Sequence, residues 1–368
     1  MPRRRRGSSR EKMNTPHSIL ILATSLLLAT SAAAQVSPPP PAAQPPATKP
    51  AAQPKTKPHA INKPAGATTQ DKPGTPTAPA AANPTPVPDD PNVDLVYGAY
   101  QRGMYKTAFD LATTRAQAGD AKAMTMLGEL YANALGIKHD DAKAVGWYKR
   151  ASDLGDREAM FALAMMRIAG RGGPVDKQEA VRLLASSAKL GEPKAAYNLA
   201  LLYLDGQTLP QDVKRSAELL RMAADAGNPE AQYALATFYK EGTGVPKDMD
   251  KAVRLLQAAS LADNVDAEVE YAIALFNGTG TPKNPTAAVA LLKKAARQGS
   301  PIAQNRLARV LVDGMGGTPM DKIEGLKWHL IAKTAGKGDL YLDEAYAQLS
   351  PEDRAKVDNV AKRWLGTK

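Results

Sequence analysis

Cysteine is absent from this 368-residue chain, and histidine occurs only four times. The first absence excludes a disulfide-stapled framework, thiol catalysis and a lipid anchor carried on cysteine. It leaves the compartment open, because exported chains need no disulfides. The second leaves little for metal or base chemistry. His17 and His59 lie in the N-terminal quarter of the chain. His139, beside Asp140 and Asp141, reads as a solvated turn residue, and His329 reads as a packing residue because Tyr148, Leu184, Leu220, Leu256 and Leu292 recur at its position. No H-E-x-x-H, G-x-S-x-G or Walker-type loop occurs. The sequence therefore offers no catalytic residue, no metal ligand and no cofactor site, and the expectation is a chain that is not an enzyme.

Apolar runs are scarce as well. The run from Ile19 to Ala29 is too short for a membrane span of about 20 residues. Arg3, Arg4, Arg5, Arg6, Arg10 and Lys12 precede it, and Ala32 and Ala34 follow in an A-x-A arrangement. That order is the signature of a secretory signal peptide over residues 1–34, cleaved after Ala34. An uncleaved anchor and a start at Met13 are the alternatives. Residues 35–91 are rich in Pro, Ala, Thr and Lys and almost devoid of large apolar side chains. Such a segment cannot offset its ordering entropy and is expected to be a disordered tether, or a ligand for a proline-reading module. The expected location is periplasmic or secreted, with no stable membrane span after cleavage.

The net charge of +11 belongs mostly to these segments, which carry seven of the excess positive charges and leave about +4 on residues 92–368. There both signs are interspersed along the pattern, as on solvated helix faces, so no nucleic-acid partner is expected.

From Asn92 onward a unit recurs every 36 residues. Gly119, Gly155, Gly191 and Gly227 mark it, with Asp263 and Gly299 in the same register. Four residues after each marker stands Ala123, Ala159, Ala195, Ala231, Ala267 or Ala303, and four further on Leu127, Leu163, Leu199, Leu235, Tyr271 or Leu307. The spacing predicts a first helix in each unit. A turn such as G-T-G-V-P-K-D, Gly242 to Asp248, then closes on Asp140, Asp176, Asp212, Asp248, Asn284 and Asp321, residue types that cap helix N-termini. A second helix follows, carrying a small residue (Ala144, Ala180, Ser216, Ala252, Ala288, Gly325) and, three positions on, Trp147, Leu183, Leu219, Leu255, Leu291 or Trp328. The next marker glycine ends it in a left-handed conformation. A short helix pair over 92–118 precedes the six repeats of 119–335. A capping region over 336–368 follows, where S-P-E-D from Ser350 opens the last helix.

A-x-x-x-L-G-x-x-Y in the first helix, the G-x-G-V-P-x-D turn, and K-A-V-G-W-Y-K-R-A-S from Lys143 to Ser152 resemble the Sel1-like repeat family, relatives of the tetratricopeptide repeat. Asp263 for glycine, Thr281 for the turn valine and one extra residue near Gly317 depart from the pattern. The resemblance implies an all-α fold: a right-handed α-solenoid of antiparallel helix pairs whose concave face binds protein or peptide, with no common chemistry. By analogy with tetratricopeptide packing, that face would carry Phe161, Met165, Ile168, Tyr197, Leu201, Leu204, Tyr233, Val269, Ile273 and Phe276 at its centre. Lys122, Glu129, Asn305 and Arg309 would form polar rims. The alternative is that neighbouring helices cover these positions as core. The function expected is an exported repeat scaffold with a protein or peptide partner in the cell envelope, regulatory if the partner is a membrane signalling protein. A cell-wall-ligand or hydrolase-type use of the groove and a structural envelope spacer are the other readings.

Overall fold

The computed structural model describes residues 94–366, so the signal segment and the tether lie outside the described residues. Among those residues the chain forms sixteen α-helices and no strand. An opening pair, α1 (Leu95–Gln101) and α2 (Tyr105–Gln117), leads into six repeats. These pair α3 (Ala121–Ala132) with α4 (Asp141–Asp153), α5 (Arg157–Ala169) with α6 (Lys177–Lys189), and α7 (Pro193–Asp205) with α8 (Val213–Asp225). They continue with α9 (Pro229–Glu241) and α10 (Met249–Leu261), α11 (Val265–Asn277) and α12 (Pro285–Arg297), and α13 (Pro301–Asp313) and α14 (Lys322–Thr334). The chain then closes with α15 (Leu340–Ala347) and α16 (Pro351–Leu365). This is an α-solenoid, in which each helix packs chiefly on its neighbours in sequence.

Both turns of the repeat are fixed by local chemistry. At the end of α4, Gly155 N–H donates to the Ser152 carbonyl at 2.9 Å and Asp156 N–H to the Ala151 carbonyl at 3.1 Å. This reciprocal closure requires a left-handed residue, and Gly155 supplies it at φ +87°. Asp156, next in the chain, then caps α5 by accepting from Ala159 N–H at 2.7 Å. Helix end and helix start are thus separated by only three residues. The longer turn inside each repeat closes on Asp140, Asp176, Asp212, Asp248, Asn284 and Asp321, each accepting from the amide three residues on. Their own amides return to the first helix of the pair, as Asp248 N–H does to the Tyr239 carbonyl at 2.9 Å.

The core is built from small residues that let the helices approach. Ala123, Ala159, Ala195, Ala231, Ala267 and Ala303 are all buried, as are Ala144, Ala180, Ser216, Ala252, Ala288 and Gly325 on the second helices. In the second helices the deepest large side chain stands one position beyond the one the spacing suggests. Tyr148, Leu184, Leu220, Leu256, Leu292 and His329 are buried throughout, whereas Trp147, Leu183, Leu255 and Leu291 are half-buried. At the nearer position Leu219 and Trp328 are also buried, at 2% and 3% exposed.

Candidate partner-binding face

The stripe of first-helix positions divides into three environments. On α7, Tyr197 is 9% exposed and Leu201 5%, and with Leu204 they belong to the apolar core shared by the central repeats. Phe161 and Ile168 on α5 and Tyr233 on α9 are half-buried against that same core, and Met165 on α5 is half-buried. On α11, Val269 is buried, while Ile273 and Phe276 are half-buried against the core of the last repeats. The Phe276 ring lies so close to Gly316 in the next repeat that a Cβ there would meet its Cε2 at 3.0 Å. The stripe therefore runs along the seams between consecutive repeats, offering ring edges rather than free side chains.

Its polar members serve the seams directly. Thr125 Oγ1 donates to Asp156 Oδ1 at 3.0 Å, one repeat further along. Five repeats further on in register, Asn305 has a like role: its Nδ2 donates to Asp339 Oδ2 at 3.3 Å. Arg309 completes the arrangement, with Nε 2.6 Å from Asp339 Oδ2 and Nη2 2.9 Å from Oδ1, a two-pronged ion pair. That hydrogen bond holds the Asp339 carboxyl below its ordinary value and the Arg309 guanidinium above its own. Glu129 accepts from the buried Tyr148 hydroxyl at 3.0 Å, and Lys122 stays exposed.

What remains open on this face is carboxylates, set near one half-buried phenol, Tyr233, and one buried phenol, Tyr197. The Tyr197 phenol is pushed up to about 12 by burial and then by Glu230. The Tyr233 phenol reaches about 12 by burial and then by Asp266, Glu270 and Glu241. Asp266 is exposed as a residue, yet shielding of its carboxyl, followed by repulsion from Glu270, raises its pKa. Lys240 neutralises Glu270 at 3.0 Å. The first-helix face of α9 and α11 therefore carries an acidic excess around the half-buried Tyr233.

The two histidines in the described residues sit elsewhere. His139 Nε2 is 3.1 Å from Asp141 Oδ1, which also receives Arg171 at 2.6 Å on an exposed turn. His329 is fully buried, with Nε2 2.8 Å from Asp343 Oδ1. Among the described residues no group of three or more His, Asp or Glu side chains is placed to hold a metal ion.

Comparison with known proteins agrees with this architecture. Six consecutive segments, 121–156, 157–192, 193–228, 229–264, 265–300 and 301–337, match the family described as Sel1 repeat. A Sel1 repeat protein of Oxalobacter formigenes is 26% identical with a TM-score of 0.59, over 65% of this chain and 98% of that one. A protective antigen of uropathogenic Escherichia coli with an SLR fold is 24% identical with a TM-score of 0.47, over 69% of this chain and 64% of that one. Immunity protein Pa5087 of Pseudomonas aeruginosa is 22% identical with a TM-score of 0.37, over 65% and 82% of the two chains. No curated protein sequence matches the chain.

Proposed function

The chain belongs to the Sel1 repeat family, and from that premise we propose that it is an exported, non-enzymatic scaffold whose first-helix face holds a protein partner in the cell envelope. A Sel1-repeat scaffold fits protein–protein interaction. The observation that carries the finer reading is the run of exposed Glu230 and Asp266 and half-buried Glu270 along the face that bears half-buried Tyr233, with Lys240 the nearby cation in an ion pair on this stretch. Aromatic edges supply contact area at low entropic cost, and carboxylates beside them select lysine or arginine through charge and cation–π attraction. The partner is therefore a protein segment bearing basic side chains. A membrane signalling protein presenting such a segment would make the role regulatory. Export is supported by the order of basic start, short apolar core and A-x-A site in residues 1–34.

Two measurements test this. Intact mass of the protein recovered from the envelope should begin at Gln35, and full-length protein confined to the cytosol would remove the export reading. For the face, Glu230→Lys with Asp266→Lys reverses the charge at exposed positions and should leave the helical signal unchanged. Cross-linking in envelope extract should join the unsubstituted protein to one discrete partner and lose it with the double variant. Undiminished cross-linking to that partner would place the binding surface elsewhere.

A further inference from the structure

Glu268 on α11 is fully buried, and no neutral donor of the surrounding repeats bonds its carboxylate. The Lys294 ammonium lies 2.7 Å from Oε1 as an ion pair, and Oε2 has no hydrogen-bond partner. The residues in register one repeat either side are glutamines. Gln232 Nε2 donates to the Ala224 carbonyl at 3.2 Å, and Gln304 Nε2 donates to the Ala296 carbonyl at 3.1 Å, each reaching eight residues back to the preceding helix end. A glutamate carboxylate has no proton to give the equivalent carbonyl of Ser260, so the tie made in the two flanking repeats is absent here, as it is where Met124, Met160 and Ala196 stand in register, and only here does its loss leave a buried carboxylate.

Two further observations fall on the same seam. Asp263 stands where the repeat register places Gly155, Gly191, Gly227 and Gly299, and it holds φ +61° in the left-handed region. Its carboxylate is 2.5 Å from Lys294, so one ammonium serves two acids. The seam also lies beside a change of core: the cluster of buried side chains that crosses it ends on α11 at Ala267 and the next begins on α11 at Val269, with half-buried Tyr271 packed against both.

We propose that the seam between α10 and α11 is a hinge, the junction at which the repeat stack opens first. The stability of a solenoid is close to a sum of nearest-neighbour interfaces, so the stack parts where one interface combines a buried charge, a missing hydrogen bond and a strained turn. The proposed partner surface bridges this junction, with Tyr233 on α9 and Asp266 on α11, but the hinge stands without that reading.

Hydrogen exchange of the full chain, followed by mass spectrometry, tests it. Amides of α10 and α11 should exchange at least about tenfold faster than those of α8, α9, α12 and α13. Glu268→Gln, which restores the donor found in the flanking repeats, should slow exchange at this seam about tenfold and leave α3 to α6 unchanged. Asp263→Gly removes the strain without touching the buried position, and should slow the same amides if the glutamine variant does not fold. Equal exchange across all these helices in the unsubstituted protein would overturn the hinge. So would variants that leave the seam unchanged or slow every helix alike.

Discussion

Only two residues other than glycine hold positive φ among the described residues, and both occupy positions where the repeat otherwise uses glycine. Ala134, at φ +54°, stands where Gly170, Gly206, Gly242, Gly278 and Gly314 end the later first helices. A left-handed side chain costs roughly 1–2 kcal/mol, and glycine returns part of that as entropy of the unfolded chain. Ala134→Gly should therefore stabilise the protein by about 0.5–1 kcal/mol, read as a higher denaturant midpoint with unchanged slope. Asp212→Ala should act in the opposite sense, costing about 1 kcal/mol by orphaning the Arg215 amide it caps. A third residue sets a pH dependence. Asp339 titrates below its unfolded value because Arg309 and then Asn305 bond its charged form. Its contribution is complete above the unfolded carboxyl value of about 4, and is lost as pH falls through the depressed folded value. Melting temperatures of Asp339→Asn should lie below those of the unsubstituted protein near neutrality and converge with them in stronger acid.

Helices in this stack are set by what their facing residues allow, and one substitution made on two helices of the same repeat separates propensity from packing. Gly146, in the interior of α4, has nothing within 4 Å of an added Cβ. Gly146→Ala should raise stability by about 1 kcal/mol, the ordinary helix-propensity gain. Gly128, inside α3, faces the Tyr148 ring, whose Cδ1 and Cε1 lie 2.6 Å from the Cβ position. Tyr148 is buried and its hydroxyl is committed to Glu129, so the ring has no free direction of retreat. Gly128→Ala should cost roughly 1–3 kcal/mol despite the same propensity gain. Thermal unfolding of both variants checks the sign. The turns follow the same logic, since a Cβ on Gly172 would lie 2.4 Å from the Asp141 carbonyl oxygen of the preceding repeat.

At the scale of the molecule, stability is carried from repeat to repeat, and the ends must cover apolar surface that has no further repeat to meet. On the C-terminal side α16 does this: Val357 and Ala361 are buried in the same cluster as Leu342 and Trp328. Trp364 meets Trp328 edge-on at 4.9 Å, with the Lys327 ammonium 4.1 Å from the Trp328 ring centre. Deleting residues 350–368 should expose that surface, and the loss should fall on the nearest helices first. Hydrogen exchange should accelerate in α13 and α14 and remain as it was in α3 to α6. Uniform acceleration along the chain would mean that the stack unfolds as one cooperative unit.

The repeat period, the helix pairs, the second-helix caps and the family were legible in the sequence because each rests on local rules: left-handed glycine, a capping carboxylate, and small residues at helical spacing. The first-helix caps Asp120, Asp156, Glu192, Asn228, Asn264 and Ser300 carried a signal too, one residue after each marker, but one of them is a glutamate, an uncommon capping residue. The candidate face was only partly legible. Analogy with tetratricopeptide packing grouped Tyr197, Leu201, Tyr233 and Phe276 as one stripe, but the next repeat determines how much of each it covers. The same holds for Asn305 and Arg309, whose partner Asp339 lies 34 and 30 residues away. Sequence determined what each repeat is, because helix and turn are decided within about five residues. Tertiary structure alone decided which side chains the stack leaves exposed and that Glu268 is sealed into a seam, because burial belongs to the contact between repeats and is written in neither one.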